Sequence, residues 1–522
     1  GTRAAAIHHQ KGISMWSYVL RRVLIAILVI FAASFLVYVL AANSGDPLED
    51  LRGSTAPNKE ALIAARIQLL HLDVAPPLRY FIWLSGVLKV FIGQLDLGAT
   101  LTGTAVTTVL SQSMWSTIQL VSIATVLAIF FGVGIGMISA LRQYTGFDYS
   151  VTLIAFFFFA LPTFWVGNLL KLIVAIAFNN FLANPVITPI WIVALSLVAG
   201  FIWASAMGGQ LKRFSINFGL AAVLAAGLMI YANLTDSFRN PNLGPLWIGI
   251  LGAAIACVVV QLTTGLSNRR ALYASLTVAV LGAVLWWPVQ YAFYYLAQWW
   301  AVLLLGLVAL GVGALVGWLW GGDDRGVSIR AAMITAFFSG GLVLVDRVLG
   351  AWPDYVTNTG GRPISTIGSE TAGLKGSIWL TTVDSFAHVL LPTITIMLIS
   401  LASYSRYSRG SLLEVMSMDY VRTARAKGLN ERTVIMRHAF RNALIPIATI
   451  VAFDLGGLIG GAVITETVFA WRGMGTMFVA ALRVVDLNSI MGVFLVTSIF
   501  ALLFNLLADI AYSVLDPRIR VS

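Results

Sequence analysis

Charge is what this sequence has least of. Only 11% of its 522 residues are Asp, Glu, Lys or Arg, while 59% are hydrophobic; a soluble domain carries about 25% charged residues. So few charges cannot cover a water-facing surface, which excludes a soluble globular fold. Cysteine is almost missing too. The single thiol, Cys257, excludes an intrachain disulfide and any Cys-rich metal site, and its setting in an apolar run suggests a small packing residue. No G-x-x-x-x-G-K-[ST] phosphate loop is present, so the chain has no such ATP site of its own. No His/Cys/Glu cluster suggests a metal, and no Ser/His/Asp constellation suggests a membrane enzyme.

What is abundant is the long apolar run. In lipid, backbone polar groups must be satisfied within the spanning element, which leaves helices or a closed barrel. Barrel strands alternate in polarity over about 10 residues. These runs are continuous, so the fold class expected is an all-α integral membrane protein. The first run, 23–42, is long enough to cross a hydrocarbon core of about 30 Å and lacks a small-residue cleavage site, so it reads as a retained helix. Eleven more spans follow, at 117–141, 150–178, 187–207, 216–233, 245–266, 271–290, 297–320, 330–350, 386–404, 443–465 and 489–511. Residues 1–14 read as a non-native or disordered extension.

The net charge of +11 reads as topology rather than nucleic-acid binding. With the N-terminus inside, the basic residues fall in alternate loops, as cytoplasmic loops require. Loop 405–442 alone holds eight Lys/Arg against three acids. The loops 179–186 and 291–296, placed outside, have none. An even count of about 12 spans with both termini cytoplasmic fits best. Segment 43–112 becomes an extracytoplasmic excursion. The six middle spans begin and end outside, as expected of an insert that can be removed without inverting the downstream helices. Their edges carry Trp286, Trp287, Trp299, Trp300, Trp318 and Trp320, which suits interfacial anchoring.

The most informative stretch is Asp419 to Pro446, DYVRTARAKGLNERTVIMRHAFRNALIP. It is basic, yet it reads as helix, joint and helix. Gly428 stands where a helix end wants positive φ. Asn430 is a good N-cap, and Glu431 follows in the first turn, where the dipole favours a carboxylate. A stiff elbow of this kind could lie on anionic lipid or dock on a protein; the glycine joint and the small residues before it favour a protein.

This segment resembles the ATPase-docking loop of binding-protein-dependent ABC importer permeases, in the form typical of the dipeptide/oligopeptide/nickel permease family. Of the general Glu-Ala-Ala-x3-Gly pattern only Ala424 and Gly428 agree, but Asp419 to Gly428 and Arg441 to Pro446 are similar to the peptide branch. The resemblance continues in Met15 to Arg22, in Gly45-Asp46-Pro47, in Leu161-Pro162-Thr163-Phe164-Trp165, in Gly460 to Phe469 and in Leu515 to Arg520. It covers roughly 15–180 and 380–522, with Arg472 standing where the family has Pro and Lys171 lying within a span. Residues 181–350 match nothing in the usual six-helix core.

The resemblance implies a type I six-helix core, split into 15–180 and 351–522, around an inserted block at 181–350. It also implies a multi-pass protein of a bacterial-type cell membrane. The partners implied are a second homologous permease subunit, two ATPase subunits that bind ATP and magnesium, an extracytoplasmic substrate-binding protein and membrane lipid, with no nucleic acid and no cofactor in this chain. The chain would form half of a path for di- and oligopeptides; nickel or another small solute is the alternative cargo, and a secondary transporter the more distant alternative. The ATPase-coupling residues implied are Asp419, Arg422, Thr423, Ala424, Arg425, Lys427 and Gly428. Asp454, near mid-span, is a candidate for the translocation path, with a packed or protonated group as the other reading. Glu466 is a candidate gate or binding-protein contact, with an ordinary interfacial carboxylate as the other reading. Lys171 is expected to snorkel outward, Asp509 to pair with a base, and His388 and Pro392 to serve packing.

Overall fold

The computed structural model describes residues 15–322 and 325–515. Extension 1–14, the Asp509 side chain and the motif beyond Leu515 lie outside the described residues. Among those described there is no β-strand, only one isolated bridge between Ala99 and Ala105. Eleven helices are long and apolar enough to cross a membrane, and one bent pair, Arg269–Val284 with Trp286–Tyr295, passes only when taken together. Hydrophobic content and backbone satisfaction in lipid account for this all-α outcome.

Two expected spans are interrupted. The run 150–178 divides into Gly146–Ala160 and Thr163–Ala183. Pro162 lacks an amide and disfavours helical backbone at the residue before it. Leu161 accordingly takes an extended φ of −85° and ψ of 134°, and Pro162 becomes the N-cap of the next helix. The run 271–290 bends by 53° at Leu285. Pro288 cannot donate to the carbonyl of Val284, so a new helix starts and holds the proline in its first turn.

The chain forms two compact units. The first comprises residues 15–171, 367–369 and 389–515 of the described chain. One of its cores gathers Tyr38, Tyr80, Trp83, Leu97, Val106 and Met491. The Tyr80 ring lies edge-on to Phe35 at 5.3 Å and to Tyr38 at 5.6 Å. A second core collects Ala140, Leu412, Val421, Ala424, Val434, Ala439 and Ala443. The helix Val106–Leu141 packs against the helix Ile378–Ser417 through two glycines. A Cβ on Gly132 would stand 2.8 Å from that of Tyr404, and one on Gly136 would strike the Ser405 carbonyl and the Ser408 hydroxyl. Small residues four apart allow such close contact within lipid.

The second unit comprises Leu172–Thr366 and Glu370–His388. Its core includes Ile248, Phe293, Val343, Tyr355 and Trp379. Asp346 is buried and accepts four hydrogen bonds, from Leu243 N (2.6 Å), Gly244 N (3.2 Å), Trp286 Nε1 (2.6 Å) and Gln290 Nε2 (3.1 Å). Such an acid is stable away from water because every bond compensates its desolvation. Trp286 is therefore turned inward, unlike the exposed Trp287, Trp299, Trp300, Trp318 and Trp320. Cys257 is exposed on the helix Gly244–Thr263 rather than packed, while its neighbour Ala256 is fully buried.

Candidate functional site

The elbow is built from local chemistry. The helix Ile378–Ser417 ends where Met418 takes an extended ψ of 148°. Asp419 opens the next helix, Asp419–Ala426, where the positive end of the dipole favours its charge. Gly428 then adopts φ of +76°, a region that suits glycine. Asn430 Oδ1 accepts from Thr433 N at 2.8 Å and caps the following turn. A wider π-type turn, Val434–Ala439, leads into the helix Phe440–Gly461.

The elbow is also fastened to its own unit. Val421 and Ala424 are buried against Leu412, Val434 and Ala443. Across the glycine joint, Arg425 Nε and Nη2 donate to the two Glu431 carboxylate oxygens at 3.2 and 2.7 Å. The bond from Arg425 holds the Glu431 carboxyl below its usual range. Tyr420 OH accepts from Asn442 Nδ2 at 2.9 Å. The seven coupling candidates thus divide. Asp419, Arg422, Thr423, Lys427 and Gly428 are exposed; Arg425 is exposed but paired; Ala424 faces the core. Asp419 and Arg422 form only a loose pair, 3.7 Å apart with side chains 97% and 70% exposed, which leaves both free for an external surface. Met418, Tyr420 and Leu429 are exposed on the elbow as well.

Asp454 sits on the helix Phe440–Gly461, half-buried. Beside it is Tyr404, fully buried, whose hydroxyl faces the Asp454 carboxylate. An acid and a phenol therefore share the interior of the first unit.

Glu466 is fully buried. Its Oε1 accepts from Thr117 Oγ1 at 2.6 Å, and its Oε2 accepts from Gly475 N at 2.7 Å and Thr476 N at 3.1 Å. Thr117 Oγ1 in turn accepts from Met474 N at 2.8 Å. Together Thr117 and Glu466 cap the helix Met474–Arg483, satisfying three of the amides that a helix start leaves open. Lys171 ends the helix Thr163–Leu170. Its Nζ donates to the Val468 carbonyl and stands 4.9 Å from the centre of the Phe469 ring. His388 is buried, with Nδ1 2.9 Å from the Asp384 carbonyl oxygen.

One ionic cluster escaped the sequence reading. Asp148, buried, accepts from Arg409 Nε (2.7 Å) and Nη2 (2.9 Å), from Ser139 Oγ (2.5 Å) and from Tyr144 N (3.1 Å). It pins the helix Gly146–Ala160 and the end of Val106–Leu141 to Ile378–Ser417, close to the elbow. The two charges are 261 positions apart, and only the opposite signs at loop ends hinted at their meeting.

Comparison with known proteins bears on the same region. Residues 272–521 match the model of the binding-protein-dependent transport system inner membrane component. That match takes in just under half of the chain. The match takes in the elbow, Asp454, Glu466 and Asp148's partner Arg409, and it begins inside the 181–350 block. The chain is 41% identical over 155 residues to the oligopeptide transport system permease protein OppB of Mycobacterium tuberculosis, covering 30% of this chain and 48% of that protein. It is 44% identical over 138 residues to the dipeptide transport system permease protein DppB of Escherichia coli, covering 26% and 41%. The chain thus spans under half the length of these curated relatives. The OppB and DppB matches support the resemblance to peptide-family ABC importer permeases, and the eleven long apolar helices among the described residues fit a multi-pass membrane protein.

Proposed function

We propose that this chain is a permease subunit of an ABC importer for di- or oligopeptides, and that the elbow 418–433 couples its helices to separate ATPase subunits. The observation that carries this reading is the elbow itself. It is a short helix fixed to the bundle by Val421 and Ala424, stiffened across Gly428 by the Arg425–Glu431 pair, and it presents Asp419, Arg422 and Lys427 outward. A lever has to be stiff to bias a two-state bundle. The matched relatives are named as oligopeptide and dipeptide permeases, which favours peptide over nickel as cargo.

In this reading the elbow faces the cytoplasm, the segment 43–112 faces outward, and a second permease subunit completes the path. Two ATPase subunits, which hold ATP and magnesium, grip the exposed elbow face, and an extracytoplasmic binding protein delivers the peptide. As the ATPases close, force enters at Asp419–Ala426. It passes through the buried Val421 contact and the Asp148–Arg409 pair into the membrane helices. Asp454 and Tyr404 supply polar groups along the path.

Two variants test the coupling. Gly428→Pro cannot adopt the positive φ, because the proline ring locks φ near −65°. Arg422→Glu reverses an exposed charge without touching the Arg425–Glu431 brace. Both are expected to insert normally and to lose ATPase stimulation and peptide uptake in reconstituted vesicles. Unchanged uptake in both would remove the elbow from the mechanism.

A further inference from the structure

The helix Pro76–Leu88, in the polar segment after the first span, is apolar on two faces. One face packs inward through Tyr80, Trp83 and Gly86. The other carries Leu78, Phe81, Ser85 and Leu88, all exposed and spaced to share one side of a helix. In the turn that follows, Phe91 is 85% and Ile92 71% exposed. A helix of 13 residues is too short to cross a bilayer; an apolar run of this length suits an interfacial or re-entrant element.

Contacts with the first span give the depth of this helix. Tyr80 OH is 2.8 Å from Ser34 Oγ, and either can donate. Ser34 stands eight residues before Ala42, where the first span ends. That is about 12 Å along the axis at 1.5 Å per residue, well inside a hydrocarbon core of about 30 Å. On the exposed side, the Phe81 ring lies 6.3 Å from the ring of Phe35. The Tyr80 ring lies 6.0 Å from that of Phe31, which is itself exposed on the span. The exposed stripe is therefore continuous with the lipid-facing side of the span Leu20–Ala42.

The backbone also meets the demand that lipid makes, with its polar groups bonded within the segment. Pro76 and Pro77 have no amide hydrogen to satisfy. The next two amides, Leu78 N and Arg79 N, both donate to the Ala75 carbonyl at 3.0 Å. At the other end Gly93 takes φ of +76° and the chain turns back. Gln94 N then donates to the Lys89 carbonyl at 3.1 Å, and Asp96 N to the Gly86 carbonyl at 3.2 Å. The one hydroxyl on the stripe is closed in the same way, Ser85 Oγ donating to the Ile82 carbonyl at 2.7 Å. Lys89 ends the stripe, and its long stem lets the charge reach towards Asp96, 3.8 Å from Nζ.

We propose that residues 76–92 form a re-entrant element seated in the leaflet where the first span ends, with lipid acyl chains covering Leu78, Phe81, Leu88, Phe91 and Ile92. The stripe offers a partner no acid and a single cation, which suits hydrocarbon rather than a polar protein surface. In this place the helix holds segment 43–112 at a fixed height on the bilayer. The proposal rests on the first span alone and is independent of the cargo and the ATPases.

The test uses the purified full chain, one copy per phosphatidylcholine nanodisc. Leu78→Cys, Ser85→Cys and Leu88→Cys, each in a Cys257→Ser background, carry a nitroxide. Leu40→Cys, exposed on the first span, serves as the lipid reference, and Glu60→Cys, exposed on the helix Lys59–Leu70, as the water reference. Collisions are measured with oxygen, which concentrates in lipid, and with a nickel chelate, which stays in water. The three positions should keep the oxygen access of Leu40→Cys and lose the nickel access of Glu60→Cys. Nickel access equal to that of Glu60→Cys puts the stripe in water and overturns the proposal. Loss of access to both reagents means that protein covers the stripe, and overturns it as well. The unsubstituted chain gives a second reading. Lipids with a diazirine in the acyl chain should, on illumination, attach to residues 78–92 as they do to 24–40, and not to 59–70. Adducts on 24–40 with none on 78–92 overturn the proposal.

Discussion

Glu466 changes meaning between sequence and structure. As a letter near the end of an apolar run it invites a gate. In place it is fully buried and bonded to one hydroxyl and two amides. Glu466→Gln keeps the shape, and its amide oxygen can still accept from Gly475 N and Thr476 N, but an NH2 then replaces Oε1 and the Thr117 hydroxyl loses its acceptor. The expected cost is about 1–3 kcal/mol, read as a lower melting temperature of the purified chain, with peptide uptake per folded molecule preserved. A large loss of uptake at full stability would return Glu466 to the path. Asp148 teaches the same lesson in reverse. Its partner Arg409 stands 261 positions away, so no local pattern could single it out, yet it ties three helices together near the elbow.

The elbow, as an element, was the most legible part. Gly428 and Asn430 announced themselves because positive φ and N-capping are set by one residue and its nearest neighbours. The π-type turn at Val434–Ala439 and the inward aim of Ala424 were not legible, because both are imposed by packing against Leu412 and Ala443. The Arg425–Glu431 brace makes a pH prediction. The folded pKa of Glu431 lies below its ordinary value, so the brace stabilises the joint above about pH 4.3, the usual glutamate value. That contribution falls away as pH drops through the lowered pKa, while Arg425 stays charged. The pair is exposed, so its worth is below about 1 kcal/mol. The protection of amides 428–433, as exchange rates divided by the intrinsic rate at each pH, should fall below that range, and Glu431→Gln should remove this change in protection. The broken spans belong to this scale as well. Pro162 and Pro288 were visible as letters, but hydropathy alone ran straight through them.

For the whole molecule, composition and apolar length sufficed for the all-α membrane class, and charge in the loops set a testable topology. The block 181–350 carries the prediction at this scale. Deleting it should leave a six-span chain whose C-terminus stays on its original side, checked by accessibility of a C-terminal tag in intact and permeabilised spheroplasts. Inverted access would refute the insert reading. What hydropathy could not supply was the sidedness of individual helix faces. Trp286 turned inward to Asp346, and Cys257 outward, for reasons of packing in three dimensions.

That outward cysteine has a practical meaning. Because it is the only thiol in the chain and lies on the exposed side of a membrane-crossing helix, a spin label can be attached there without first stripping other sulfurs from the protein. Quenching by reagents of graded depth would then measure how far into the bilayer the helix Gly244–Thr263 sits, in the native sequence.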